Sequence, residues 1–242
     1  MSAAREDEIP MRLRAGSSGW SYPQWKGHFY PEKLAAKDML HYYAERLATV
    51  EVNNTYYRMP KPGVLEGWAG EVPDGFSFVL KAPQQITHFR RLRDVGDAVA
   101  YFLKTAAVLG PKLGPIFAQL PPNMKKDVPL LADFANLIPS GTRLSIEFRN
   151  PSWFDDEVFA LLRERGIALC VADTEKADGQ LVPTADWGYA RLRRDTYSDD
   201  ELRSWAERLR AQPWNELFVF FKHEDEGAAA KLAMRLGELW TP

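Results

Sequence analysis

The stretch Arg143-Leu144-Ser145-Ile146-Glu147-Phe148-Arg149-Asn150-Pro151-Ser152-Trp153-Phe154 decides the fold, because it reads as a strand with two unlike faces and an ionisable far end. Leu144, Ile146 and Phe148 alternate with Ser145, Glu147 and Arg149. Successive side chains of a strand point to opposite faces, so the apolar set covers one side while Glu147 and Arg149 share the other near the C-terminal end. A carboxylate and a guanidinium there can be an ion pair within a polar core. They begin a site if other strands end the same way.

Working outward, the same pattern recurs. Residues 13–17 form a first short strand, and in 49–53 Val50 and Val52 oppose Glu51 and Asn53. In 76–81, Phe78 and Leu80 oppose Ser77, Val79 and Lys81, while 115–119 ends in Gln119. Residues 167–173 end in Asp173, 188–193 set Ala190 and Leu192 against Tyr189, Arg191 and Arg193, and 217–222 end in Lys222. Helical periodicity fills most of the intervals: 38–47, a short helix around Trp68, helices opened by Asp94 and by Asp127, 158–165, a capping box Ser198-Asp199-Asp200-Glu201, and 227–240. Eight strands about 30 residues apart predict an α/β protein, a (β/α)8 TIM barrel. No linker or composition break divides it, so residues 12–242 are expected to be one domain behind a flexible N-terminal tail, residues 1–11. The open-sheet alternative lacks its Gly-x-Gly-x-x-Gly and Walker-type loops, and no cofactor is expected.

Composition excludes several classes. With 45% hydrophobic and 26% charged residues over 242 residues, the chain is an ordinary globular sequence. A formal net charge of -2 carries no global signature of a nucleic-acid or membrane-surface binder, so any anion site is local. The single cysteine, Cys170, stands in an apolar run and reads as an inert buried thiol. No apolar leader core opens the sequence and no stretch reaches the ~18 apolar residues of a membrane span, so the protein is expected to be cytoplasmic with no membrane association. No His-Glu-x-x-His or Cys-x-x-Cys spacing is present, and no metal is expected.

Five motifs in order carry a resemblance: Gly16-Ser17-Ser18-Gly19-Trp20-Ser21-Tyr22; Thr49-Val50-Glu51-Val52-Asn53-Asn54-Thr55-Tyr56-Tyr57; Phe78-Val79-Leu80-Lys81-Ala82-Pro83 with Ile86-Thr87-His88; Lys112-Leu113-Gly114-Pro115 with Gln119-Leu120-Pro121-Pro122; and Glu147-Phe148-Arg149 with Ser152-Trp153-Phe154. Together they resemble the YecE-like family, domain of unknown function 72. The resemblance implies a TIM barrel and no particular reaction. Many relatives carry a His-Gly pair after the seventh strand and an Asn-Asn pair after the eighth, where this chain has Arg193-Arg194 and Lys222-His223.

Barrels of this kind build their sites from C-terminal strand ends and the following loops. Turning the less apolar face of each strand inward puts Glu51, Asn53, Lys81, Gln119, Glu147, Arg149, Asp173, Arg191 and Lys222 around one rim. Trp20, Tyr22, Tyr56 and His88 lie in adjoining loops, whereas Trp25 and Trp153 read as loop-packing residues. Bases outnumber acids on that rim, which points to an anionic small molecule such as a sugar phosphate or nucleotide fragment, held where barrels often hold phosphate, after strands 7 and 8, where Arg191, Arg193, Arg194 and Lys222 fall. Glu51 and Glu147 are then the candidate acid/base pair of an enzyme, with Lys81, Arg149 and Arg191 stabilising negative charge. The alternative is a noncatalytic barrel in which the same bases and the mouth aromatics bind nucleic acid or another anion.

Overall fold

The computed structural model describes residues 10–176, 178–222 and 225–240. The expected tail, apart from Pro10 and Met11, lies outside the described residues, as does His223. Eight parallel strands close into a barrel in sequence order: β1 (Arg12–Ser17), β2 (Thr49–Val52), β3 (Ser77–Lys81), β4 (Leu113–Gln119), β5 (Leu144–Glu147), β6 (Ala168–Asp173), β7 (Trp187–Leu192) and β8 (Glu216–Phe221). The closing seam is the β1–β8 pair, in register from Arg12 opposite Glu216 to Ser17 opposite Phe221. Helices α1 (Met39–Ala44), α2 (Asn54–Tyr57), α3 (Pro62–Glu71), α4 (Gly96–Ala106), α5 (Val128–Asn136), α6 (Asp156–Glu164), α7 (Asp199–Arg210) and α8 (Ala228–Leu239) occupy the crossovers and the C-terminal end. Among the described residues no helix separates β6 from β7.

The period-2 pattern sorts the strands into two cores. Val50, Leu80, Ile116, Ile146, Leu169, Ala190 and Val219 face outward and join one apolar layer with the helices. Inside the barrel a second cluster forms from Val79, Phe117, Ala168, Cys170, Trp187, Tyr189, Phe218 and Phe220. Phe117 and Tyr189 stack there with centroids 5.2 Å apart and planes within 6°. This interior is a plug and not a pore, since Phe117, Tyr189, Phe218 and Phe220 fill it with no exposure to solvent, each such ring stabilising the fold by about 1.5–3 kcal/mol. Strand β1 passes so close to β2 that a Cβ on Gly16 would stand 2.2 Å from the Thr49 carbonyl oxygen, and only glycine fits there.

Caps follow local chemistry with one correction. The Asp127 side chain accepts from Leu130 N to open α5, and Ser198 with Glu201 forms the full capping box of α7. Asp94 does not cap α4: it sits at φ 51°, and Val95 holds the cap position without a side-chain hydrogen bond. The preceding turn, with Arg91 at φ 49° and Leu92 at φ 68°, leads into that left-handed conformation, which is not the extended backbone an N-cap residue adopts.

Candidate active site

At the C-terminal end of the barrel the polar faces of β2, β3, β4, β5 and β7 converge. Arg191 is the hub: Nη2 donates to Glu51 Oε1 at 3.0 Å and Nη1 to Glu147 Oε2 at 2.7 Å, with all three side chains buried. Glu51 also accepts from Ser18 Oγ at 2.8 Å, Asn53 Nδ2 at 3.2 Å and the Tyr189 hydroxyl at 2.6 Å. Glu147 Oε1 accepts from Gln119 Nε2 at 2.7 Å and Arg149 Nε at 3.0 Å, with Arg193 Nη1 at 3.8 Å. Lys81 Nζ donates to Gln119 Oε1 at 3.2 Å and stands 4.5 Å from the Tyr56 ring centroid. Beneath the hub, the Arg191 guanidinium lies 4.7 Å over the Phe117 ring, so the inner plug supports the polar layer.

These contacts fix the protonation states. Burial alone would raise the Glu51 carboxyl, but Arg191, the Tyr189 hydroxyl and Ser18 override it and hold the group below its ordinary range. Glu147 is likewise buried, and Arg191, Arg149 and Arg193 bring it down to about 2. Arg191 is buried too, yet its two carboxylates raise its pKa and keep it charged. Lys81 moves the other way: burial and the nearby Arg191 outweigh the two carboxylates and bring its ammonium down to about 8. His88, edge-on to Tyr56 at 5.1 Å and bonded to Thr87 Oγ1 at 2.9 Å, is lowered by burial and by Lys81, Arg149 and Arg91. Two carboxylates therefore face four cations in one layer: Arg191, Lys81, Arg149 and Arg193.

The sequence-derived residues divide accordingly. Glu51, Asn53, Lys81, Gln119, Glu147, Arg149 and Arg191 come together as one network, with Tyr56 and His88 beside Lys81. Trp20 and Tyr22 line the loop after β1, where the Tyr22 hydroxyl donates to Ser18 O at 2.6 Å and Trp20 meets Trp68 edge-on at 4.9 Å. Lys222 is exposed just past the end of β8. Asp173 is a correction: it shares the outward face of Val171, is fully buried, and binds the Arg194 guanidinium at 2.8 Å and the Tyr197 hydroxyl at 2.8 Å instead of joining the rim. Its strand has Ala168 and Cys170 inside against Leu169 and Val171 outside, so no polar alternation marked its faces. Arg193, expected beside the phosphate position, joins the network at 3.8 Å from Glu147 Oε1, and Tyr189 belongs to it although the sequence marks it with no site role beyond its parity with Arg191 along β7. Trp25 and Trp153 are fully buried, Trp153 stacking on Phe148 at 4.8 Å and donating to Met124 O, so both pack loops as expected.

Cys170 is buried inside the barrel, and burial raises its thiol well above the ordinary value. Among the described residues no group of three or more His, Cys, Asp or Glu is placed to hold a metal ion, and no helix is long and apolar enough to cross a membrane.

A family model described as "Protein of unknown function DUF72" matches residues 14–242. The UPF0759 protein YecE of Escherichia coli (strain K12) is 32% identical over 165 residues, 66% of this chain and 58% of that protein, so the chain covers less than two thirds of that relative's length. The UPF0759 protein YunF of Bacillus subtilis (strain 168) is 24% identical over 261 residues, 89% of this chain and 92% of that protein. A crystal structure of a DUF72 family protein from Thermotoga maritima MSB8 superposes with a TM-score of 0.84 at 28% identity, covering 94% of this chain and 98% of that one.

Proposed function

The chain belongs to the DUF72 family, and from that premise we propose that it is an enzyme acting on an anionic, phosphorylated small molecule bound at the C-terminal mouth. The observation that carries this reading is the charge arrangement: Arg191 is occupied by Glu51 and Glu147, while Lys81, Arg149 and Arg193 add cations that those two carboxylates do not balance. Arg193 Nη1 comes only within 3.8 Å of Glu147 Oε1 and its buried Nε has no hydrogen-bond partner among the described residues, so this guanidinium is incompletely paired.

The roles follow from the protonation states. Glu51 and Glu147 accept several hydrogen bonds and stay ionised near neutral pH, which makes them weak proton acceptors and sound anchors for Arg191. The proton-transfer work expected of them passes to Lys81, whose pKa of about 8 lets a proton move near neutral pH. Arg149 and Arg193 then hold the anionic group and stabilise charge that develops on it. In a thermal-shift panel, phosphorylated metabolites are expected to stabilise the wild type and not the Lys81→Met, Arg149→Gln double variant. Neutral analogues that stabilise both proteins equally would overturn the reading.

A second reading has its own observation. Tyr57 and Phe89 are 74% and 73% exposed, and Arg58, Arg90 and Arg91 adjoin them in sequence, as stacking and backbone contacts to single-stranded nucleic acid require. Affinity that falls steeply with salt and rises with oligomer length separates it from a small-molecule site.

A further inference from the structure

Beside the polar layer lies a cavity of about 350 Å³, within the range of small-molecule sites. Trp20, Tyr22, Leu40 and Trp68 supply flat or apolar lining, and Asn53 and Asn54 supply amide groups. Among the described residues its charged lining is Lys37 and Glu71, of opposite sign, so that lining carries no net charge to match an anion. The loop that shapes it is held in place: the Tyr30 hydroxyl donates to Trp20 O at 2.5 Å, and the Tyr22 hydroxyl to Ser18 O at 2.6 Å. Gly19, at φ 107°, lets Tyr22 fold back against the chain, since a Cβ there would meet the Tyr22 hydroxyl at 2.5 Å.

The cavity shares a wall with the charged layer. Ser18 and Asn53 line it, and both donate to Glu51 Oε1, the oxygen that also receives Arg191 Nη2. Neutral aromatic space thus adjoins Glu51, and Arg191 links that carboxylate to Glu147, which the Arg149 and Arg193 guanidinium groups face. Resting on the reading of the mouth as an anion site, we infer that the ligand has two parts: a phosphate-like group at Lys81, Arg149 and Arg193, and an uncharged ring with a polar edge in the cavity of Trp20, Trp68, Asn53 and Asn54. The ring stacks on aromatic faces and hydrogen-bonds the amides. A sugar ring and a nucleobase both have this chemistry.

The test is calorimetric titration with inorganic phosphate, ribose 5-phosphate, adenosine 5′-monophosphate and adenosine. It uses the wild type, Trp20→Leu and Ser21→Phe, the last placing a ring into the cavity from an exposed loop position without removing a buried atom. At least one ring-bearing phosphate is expected to bind the wild type about tenfold or more tighter than inorganic phosphate, the scale of one aromatic stack. Ser21→Phe and Trp20→Leu should erase that preference while inorganic phosphate binds as before. Preference for the nucleotide over ribose 5-phosphate assigns the cavity to a base, and equal affinity assigns it to the sugar. If phosphate binds but no probe with a ring binds tighter, or the preference survives Ser21→Phe, the two-part ligand is overturned and the anion site stands. If no phosphate-bearing probe binds the wild type, the reading of the mouth fails first and the inference with it.

Discussion

Both ends of the barrel hold a carboxylate between arginines, and the two ends are finished differently. At the N-terminal end Glu216 accepts from Arg14 and Arg143, with Arg12 Nε at 3.9 Å. The excess positive charge there is absorbed: Arg14 Nη1 donates to Gly75 O at 2.6 Å, and the Arg143 guanidinium lies 5.1 Å over Phe218 and 5.5 Å over Trp187. At the C-terminal end Arg191 is held as tightly, but Lys81 is destabilised as a cation and Arg193 Nε is left without a partner among the described residues. One end is a closed structural clamp. The other has four cations against two carboxylates, the feature on which the proposed anion site rests, and it lies at the end where such barrels place their functional loops.

Substitutions that break this comparison rank by the charge they strand. Arg191→Met leaves Glu51 and Glu147 buried without their shared counter-ion, and chemical denaturation is expected to show a loss of roughly 3–5 kcal/mol at pH 7. A loss under 1 kcal/mol would mean that the hub is not the keystone of the upper layer.

Glu147→Gln keeps the shape and removes one charge, at an expected cost of about 3 kcal/mol at neutral pH. Because the folded carboxyl is lowered to about 2 from an ordinary 4.5, its contribution is complete above pH 4.5 and is lost as pH falls through 2. The gap between wild type and variant should therefore narrow across that window in unfolding measured against pH. A variant as stable as the wild type that has lost turnover of an identified substrate would return a proton-transfer role to Glu147.

Glu216→Gln acts on the closed end, where the carboxylate is partly exposed, and about 2 kcal/mol is the expected loss. Ligand-induced stabilisation should be unchanged in this variant. A change in ligand response would join the two ends functionally and dissolve the contrast.

The comparison also marks what the sequence could carry. Alternation in Leu144 to Arg149 and in Thr49 to Val52 exposed both the barrel and its inward carboxylates, because each strand has one apolar face and one polar face. Where both faces are apolar the rule has nothing to work on, and Asp173, at the end of such a strand, faces out to Arg194 and Tyr197 and not onto the expected rim. The lower clamp escaped for a different reason: Arg14 and Glu216 sit at strand beginnings 202 residues apart, and only closure of β1 onto β8 makes them neighbours. Strand periodicity reports which face a residue takes. It does not report which distant residue meets it.

The proposed anion site makes use of cationic charge in the upper layer, and Lys81 gives that charge a titratable signature. Calorimetric titration of ribose 5-phosphate from pH 7 to 9.5 keeps the phosphate about nine-tenths or more dianionic, since its second pKa is about 6. Above about 8 the free ammonium loses its proton, so wild-type affinity is expected to fall by about tenfold per pH unit until the ligand-bound pKa is passed. Lys81→Arg, charged throughout, should give a flat profile. A wild-type profile as flat as that of Lys81→Arg, or one that rises with pH, would contradict the assignment of the anion site to Lys81.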